Sequence, residues 1–133
     1  MSDAPSADKS RAIVIGHGEF SAGLISAVAQ ISGMADRLVG LSTSGMTPAD
    51  IESGIRSNLA EAGARVIFTD LPAGSATLAA RRVLRESTDV VLVSGVNLAT
   101  LLDFVFSSGA SPGEAARSAA ERGRASLIVV EHS

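Results

Sequence analysis

Cysteine is absent from this 133-residue chain. That excludes a disulfide framework and a thiolate metal site. Tryptophan and tyrosine are absent as well, and four phenylalanines are the only aromatic residues. The net charge is −3, with no basic block. Neither a stacking platform nor an electrostatic footprint for nucleic acid is therefore present. No apolar run approaches the length of a bilayer span. The opening ten residues, MSDAPSADKS, lack the apolar core of a secretory signal, so the cytoplasm is the expected location. There are only two histidines, and no spaced histidine pair supports a metal site built from His17, Glu19 and Asp70. No metal and no cofactor is expected.

The chain does have an ordinary globular composition, 46% hydrophobic and 19% charged, at a length that suits one domain. Residues 1–10 read as a disordered tail and residues 11–133 as the domain. Short apolar runs, many of them β-branched, recur at Ala12–Ile15, Leu38–Leu41, Val66–Phe68, Val90–Val93 and Leu127–Val130. They read as strands buried on both faces. Helical patterns lie between them. Leu24, Val28 and Ile31 fall on one stripe that Gly33 ends. Thr47-Pro48 with Asp50 announces a second helix lined by Ile51, Ile55 and Leu59, and Gly63 closes it. A third runs from about Ser75 through Val83 and Leu84. Asn97 caps a fourth, which carries Leu98, Leu101, Leu102 and Val105. Ser111-Pro112 with Glu114 opens a fifth that ends near Gly123.

The order βαβαβαβααβ predicts a doubly wound α/β domain, with a mostly parallel five-strand sheet and helices on both faces. The expected strand order is 2-1-3-4-5. Two helices precede the last strand, which is therefore not constrained to run parallel.

In such a sheet ligands bind beyond the carboxyl ends of the strands, where the strand order reverses. That point falls between the first and third strands. His17, in the stretch VIGHGEFSAGL, follows the first, and Asp70 ends the third. Topology alone brings them to one crevice. Gly74 and Ser75 stand at the start of the third helix, where backbone N–H groups and the helix dipole suit an anion. A carboxylate that accepts a hydrogen bond from one imidazole nitrogen fixes the tautomer and leaves the other lone pair facing outward. That nitrogen can attack phosphorus while the helix start holds the phosphoryl oxygens. Such transfer asks mainly for positioning and charge stabilisation.

Three segments, IVIGHGEFSAGLISAV, VIFTDLPAGSATLAA and SGVNLATLLDFV, occur in the order and at the spacing of a known family. The chain resembles the IIA component of the mannose/fructose/sorbose-type bacterial sugar phosphotransferase system, over nearly all of Arg11–Val130. The resemblance implies a phosphotransferase that works through a phosphohistidine. His17 would take a phosphoryl group from the histidine phosphocarrier protein, HPr, and pass it to a IIB component. Membrane IIC and IID components would be served indirectly. Asp70 would orient His17, and Gly74 with Ser75 would cradle the phosphoryl group. The resemblance further implies a homodimer that exchanges its last strand. One departure stands out. The second turn of the family commonly reads Gly-Gly-Ser-Pro-x-Asn, and here it reads Ala73-Gly74-Ser75-Ala76-Thr77-Leu78.

Other readings compete. A dinucleotide fingerprint fails because Ser21 stands where the third glycine belongs. A serine hydrolase elbow fails because AGSAT lacks both its glycines. A flavin-type small-ligand module is compatible with the fold. Within phosphoryl chemistry, a IIA-like donor to a dihydroxyacetone kinase and a regulatory phosphoprotein are the alternatives. Asp70 could merely cap its loop, and Ser75 is equally natural as a helix N-cap. Asn97 reads as a cap, and His132 as a solvated residue near the chain end.

Overall fold

Alternation along the two central strands decides what each face of the sheet receives. In the computed structural model, which describes residues 11–132, β1 (Ala12–Gly16) and β3 (Val66–Thr69) are buried throughout. Ile13, Ile15 and Ile67 point to one side, and Ala12, Val14, Val66 and Phe68 to the other. The expected disordered tail, residues 1–10, lies outside the described residues.

Among the described residues five α-helices complete the fold: α1 (Phe20–Ser32), α2 (Pro48–Glu61), α3 (Ser75–Leu84), α4 (Leu98–Phe106) and α5 (Pro112–Ala125). α2 and α3 cover the isoleucine face with Ile51, Ile55, Ala76, Ala79, Ala80 and Val83. α1, α4 and α5 cover the other face, where Phe104 meets Phe68 edge to face at 5.3 Å. The capping signals hold. Thr47, Asn97 and Ser111 each accept from the N–H three residues on, in reciprocal capping boxes with Asp50, Thr100 and Glu114. The stripe on α1 is only partly buried. Val28 is enclosed, but Ile31 is 60% exposed, because it lies in the last turn, near the rim of the sheet.

Arg37, in a 3-10 turn before β2 (Leu38–Ser42), is buried. Its guanidinium donates to the carbonyls of Val105 at 2.6 Å and Ser107 at 2.8 Å, satisfying the C-terminus of α4, and lies over the Phe104 ring. Burial lowers its pKa, only partly offset by Asp36.

The sheet is parallel, in the order β2-β1-β3-β4, with β4 spanning Val91–Ser94. The expected fifth strand is not part of it. Leu127, Ile128, Val129 and Val130 are 82%, 74%, 83% and 86% exposed. The run has strand-forming side chains, but Ser126 alone separates it from α5. That is too little chain to turn back beside β4. The outer edge of β4 is instead left facing a groove of about 480 Å³, walled by β4 and by Ala116, Ala120 and Gly123 of α5. Of the run, only Leu127 reaches the lining of that groove. The domain thus has four strands rather than five among the described residues.

Candidate active site

The stretch Gly16-His17-Gly18 closes β1 and opens α1. Gly18 adopts φ +52, a left-handed conformation that glycine takes without steric cost. The carbonyl of His17 then accepts from Phe20 N–H at 3.0 Å, starting α1. Gly16 serves a different need. A Cβ there would stand 2.8 Å from the Phe20 ring and 2.9 Å from Asp70 Oδ2. Only glycine leaves room for the carboxylate to reach the end of β1.

Asp70 uses that room. Its Oδ2 accepts from His17 Nδ1 at 2.7 Å and from the His17 backbone N–H at 3.0 Å. The backbone bond fixes the main chain of His17, and the ring bond fixes its orientation. The Asp70 side chain is 10% exposed and the His17 side chain 62% exposed. Burial pushes the Asp70 carboxyl upward, but the ring and backbone hydrogen bonds from His17, with the attraction of the ring's charge, outweigh it. The net shift is downward, so the carboxylate is ionised at neutral pH. An ionised carboxylate only accepts, so Nδ1 carries a proton, and in the neutral tautomer this bond selects, the lone pair is on Nε2.

The start of α3 lies against the same ring. Gly74 has φ +136, and a Cβ on it would be 3.9 Å from His17 Cε1. Cε1 lies between the two ring nitrogens, so the helix start borders the nitrogen-bearing side of the ring. The sequence points to Ser75 as a candidate N-cap, but Gly74 occupies that position and Ser75 is the first helical residue. Its N–H belongs to the first turn, whose donors have no partner within the helix. The structure thus brings His17, Asp70 and Gly74 together and sets Ser75 beside them. Asn97 stays apart: it caps α4 and donates to Gly123 O at 3.0 Å. His132 is exposed beyond the apolar run. Among the described residues no cluster of three or more histidine, aspartate or glutamate side chains could hold a metal ion. No helix among them is long and apolar enough to cross a membrane.

Two features of the site are invisible to motif reading. One is the second donor to Asp70, the backbone N–H of His17. The other is the carboxylate-sized space that Gly16 leaves. The only sequence signal for either was a glycine directly before the histidine.

The fold and this site define a class: a doubly wound α/β domain with an exposed histidine held by a carboxylate where the strand order reverses. The chain belongs to the mannose/fructose-type IIA family of the sugar phosphotransferase system, since the family described as PTS system fructose IIA component matches residues 11–120. The match ends within α5, before the 127–130 run.

Solved structures agree on the fold. The mannose/sorbose-specific IIA subunit from Enterococcus faecalis gives a TM-score of 0.82 at 19% identity, over 94% of this chain and 97% of that one. The phosphotransferase system component EIIA from Streptococcus agalactiae gives 0.81 at 21% identity, over 90% and 95%. The IIA protein associated with the fucose utilization operon of Streptococcus pneumoniae gives 0.78 at 20% identity, over 92% and 93%. No curated protein matches the chain.

Proposed function

We propose that this protein is a phosphocarrier whose His17 accepts a phosphoryl group on Nε2 from HPr and passes it to a IIB component. The observation that carries this reading is the 2.7 Å bond between His17 Nδ1 and Asp70 Oδ2 on a ring that remains 62% exposed. With Asp70 as acceptor, the neutral ring keeps its proton on Nδ1, which leaves the lone pair of an exposed ring on Nε2 for a partner. In the acceptor step Nε2 attacks phosphorus, an N–P bond forms, and the donor histidine leaves with the electrons of its own N–P bond. The ring becomes cationic while Nδ1 keeps its proton. The ionised Asp70 stabilises that cation. The Gly74–Ser75 turn at the start of α3 offers N–H groups and a partial positive charge to the phosphoryl oxygens. Donation to IIB reverses the same geometry. Membrane IIC and IID components are then the indirect beneficiaries, and the protein works in the cytoplasm.

The groove beside β4 and the run 127–130 support a homodimer. Each chain's run is apolar and exposed, and each chain offers an uncovered strand edge. Exchange between two copies would cover both. Sedimentation at micromolar concentration checks this; a monomer throughout removes it.

The central experiment supplies phosphoenolpyruvate, enzyme I and HPr and follows intact mass. One phosphoryl group should add, and brief acid should remove it while base does not. His17→Ala should take up none, whereas His132→Ala and Ser75→Ala should still be labelled, the latter more slowly. Labelling of His17→Ala at the parent's rate would overturn the reading.

A further inference from the structure

Asp70 has neighbours on both sides that are tied down, the amino side by backbone and the carboxyl side by a buried hydroxyl group. On the amino side, the Thr69 carbonyl accepts from Gly95 N–H at 2.9 Å and Val96 N–H at 3.0 Å, anchoring it to the loop after β4. On the carboxyl side, the Leu71 carbonyl accepts from Thr77 Oγ1, in the first turn of α3. The hydroxyls of Thr69 and Thr77 meet at 2.7 Å, and Thr69 Oγ1 lies 3.4 Å from the same Leu71 carbonyl. Thr69 is 0% and Thr77 1% exposed, so both hydroxyls depend on these bonds rather than on water. Each hydroxyl has one proton to give. With Thr77 donating to Leu71, the Thr69 proton goes to Thr77, and the chain of donors closes without an orphan.

We propose that Thr77 is a positioning residue for the His17–Asp70 pair. It touches neither the ring nor the transferred group. It holds Leu71 against the first turn of α3, and so sets the distance between the Asp70 carboxylate and the helix start that Gly74 and Ser75 form. The same side chain therefore couples two parts of the site: the carboxylate that fixes the ring's tautomer and the N–H groups at the start of α3. Without its hydroxyl, the Leu71 carbonyl loses its short buried donor, and only the 3.4 Å approach of Thr69 remains. The segment carrying Asp70 then relaxes away from His17. The ring's hold on the Nδ1–H form loosens.

The rate consequence rests on the phosphocarrier reading; the tautomer consequence does not. The test is Thr77→Val, which keeps shape and removes the hydroxyl, with Thr77→Ala as a smaller variant of the same loss and Thr77→Ser as rescue. Circular dichroism checks that each is folded. The first readout is the ring 15N spectrum of His17, whose two nitrogen shifts report which tautomer the neutral ring adopts. The parent should give the Nδ1–H form. Thr77→Val and Thr77→Ala should give a mixture with the Nε2–H form, and Thr77→Ser should restore the parent's spectrum. Thr69→Val, which leaves the bond from Thr77 to Leu71 in place, should keep the parent's spectrum. The second readout is phosphoryl uptake from HPr, expected to fall roughly tenfold in Thr77→Val and to recover in Thr77→Ser. If a folded valine or alanine variant keeps the Nδ1–H form and the parent's rate, the proposal is overturned. A tautomer shift in a protein that takes up no phosphoryl group at all would uphold the role of Thr77 and sink the phosphocarrier reading instead.

Discussion

The centre of the sheet and its β4 edge are built from the same kinds of residue and end in opposite states. Ala12, Ile13, Val14 and Ile15 of β1 are 0% exposed. β4 is only half-buried, and the apolar run that could have flanked it is turned out to solvent. A strand of valines and isoleucines is not buried by composition alone. It is buried when both its edges are hydrogen-bonded and both its faces covered. β1 has β2 and β3 at its edges and helices on each face. His17 and Asp70 stand at the ends of completed strands, and the exposed apolar run lies beyond the incomplete edge. The two regions should respond independently to mutation.

The largest effect belongs to the centre. His17→Ala should remove phosphoryl uptake altogether and leave sedimentation unchanged. If it altered the oligomer, the two regions would not be separate.

Asp70→Asn comes next. Its amide cannot act as an ionised acceptor to both His17 donors. A hydrogen bond to a charged group is worth about 1.5–3 kcal/mol, so transfer should slow roughly ten- to hundredfold. Rapid-quench rates check this, and unchanged kinetics would make Asp70 a structural residue.

At the edge the expected outcome is reversed. Charging the exposed run with Ile128→Asp and Val130→Asp should convert the proposed dimer to monomer while His17 is still labelled. Loss of labelling along with the dimer would mean that the partner chain helps to build the site.

Gly16→Ala has a smaller effect, but it sits where packing and chemistry meet. The new methyl group would press on Asp70 Oδ2 and the Phe20 ring. Overpacking of this kind costs about 1–3 kcal/mol, and urea unfolding measures it.

The smallest effect is one of pH. The folded pKa of Asp70 lies below its ordinary value, so the stability it lends is fully present above about pH 4. That contribution fades as pH falls through the lowered value. The gap in stability between the parent and Asp70→Asn should therefore close only in acid below the ordinary carboxylate range. A gap that closed near neutrality would contradict the assignment.

Much of this was legible in the sequence. The buried strands, two capping boxes, the Asn97 cap and the β2-β1-β3-β4 order follow from patterns spaced a few residues apart. So does the meeting of His17 with Asp70, since topology fixes which strand ends are neighbours. What was not legible depends on close approach. Nothing local in Leu127–Val130 distinguishes a strand with a partner from one without. Ser75 has the better capping side chain, yet Gly74 takes the cap because its φ is closed to other residues. Thr77 falls at the unspecified position of the family's turn, so no motif could have singled it out. Its role emerges only from the hydroxyl and carbonyl groups buried around it.

Arg37 carries a consequence of another kind, for the order in which the molecule is made. Its carbonyl partners, Val105 and Ser107, lie 68 and 70 residues further along the chain. A buried guanidinium is tolerable only with its acceptors in place. During synthesis at about 5–20 residues per second, the wait for them is on the order of ten seconds. Until then the turn between α1 and β2 lacks the contacts that Val105 and Ser107 give it in the folded chain. The burial of Arg37 in the amino-terminal third is thus completed only by residues from the last third.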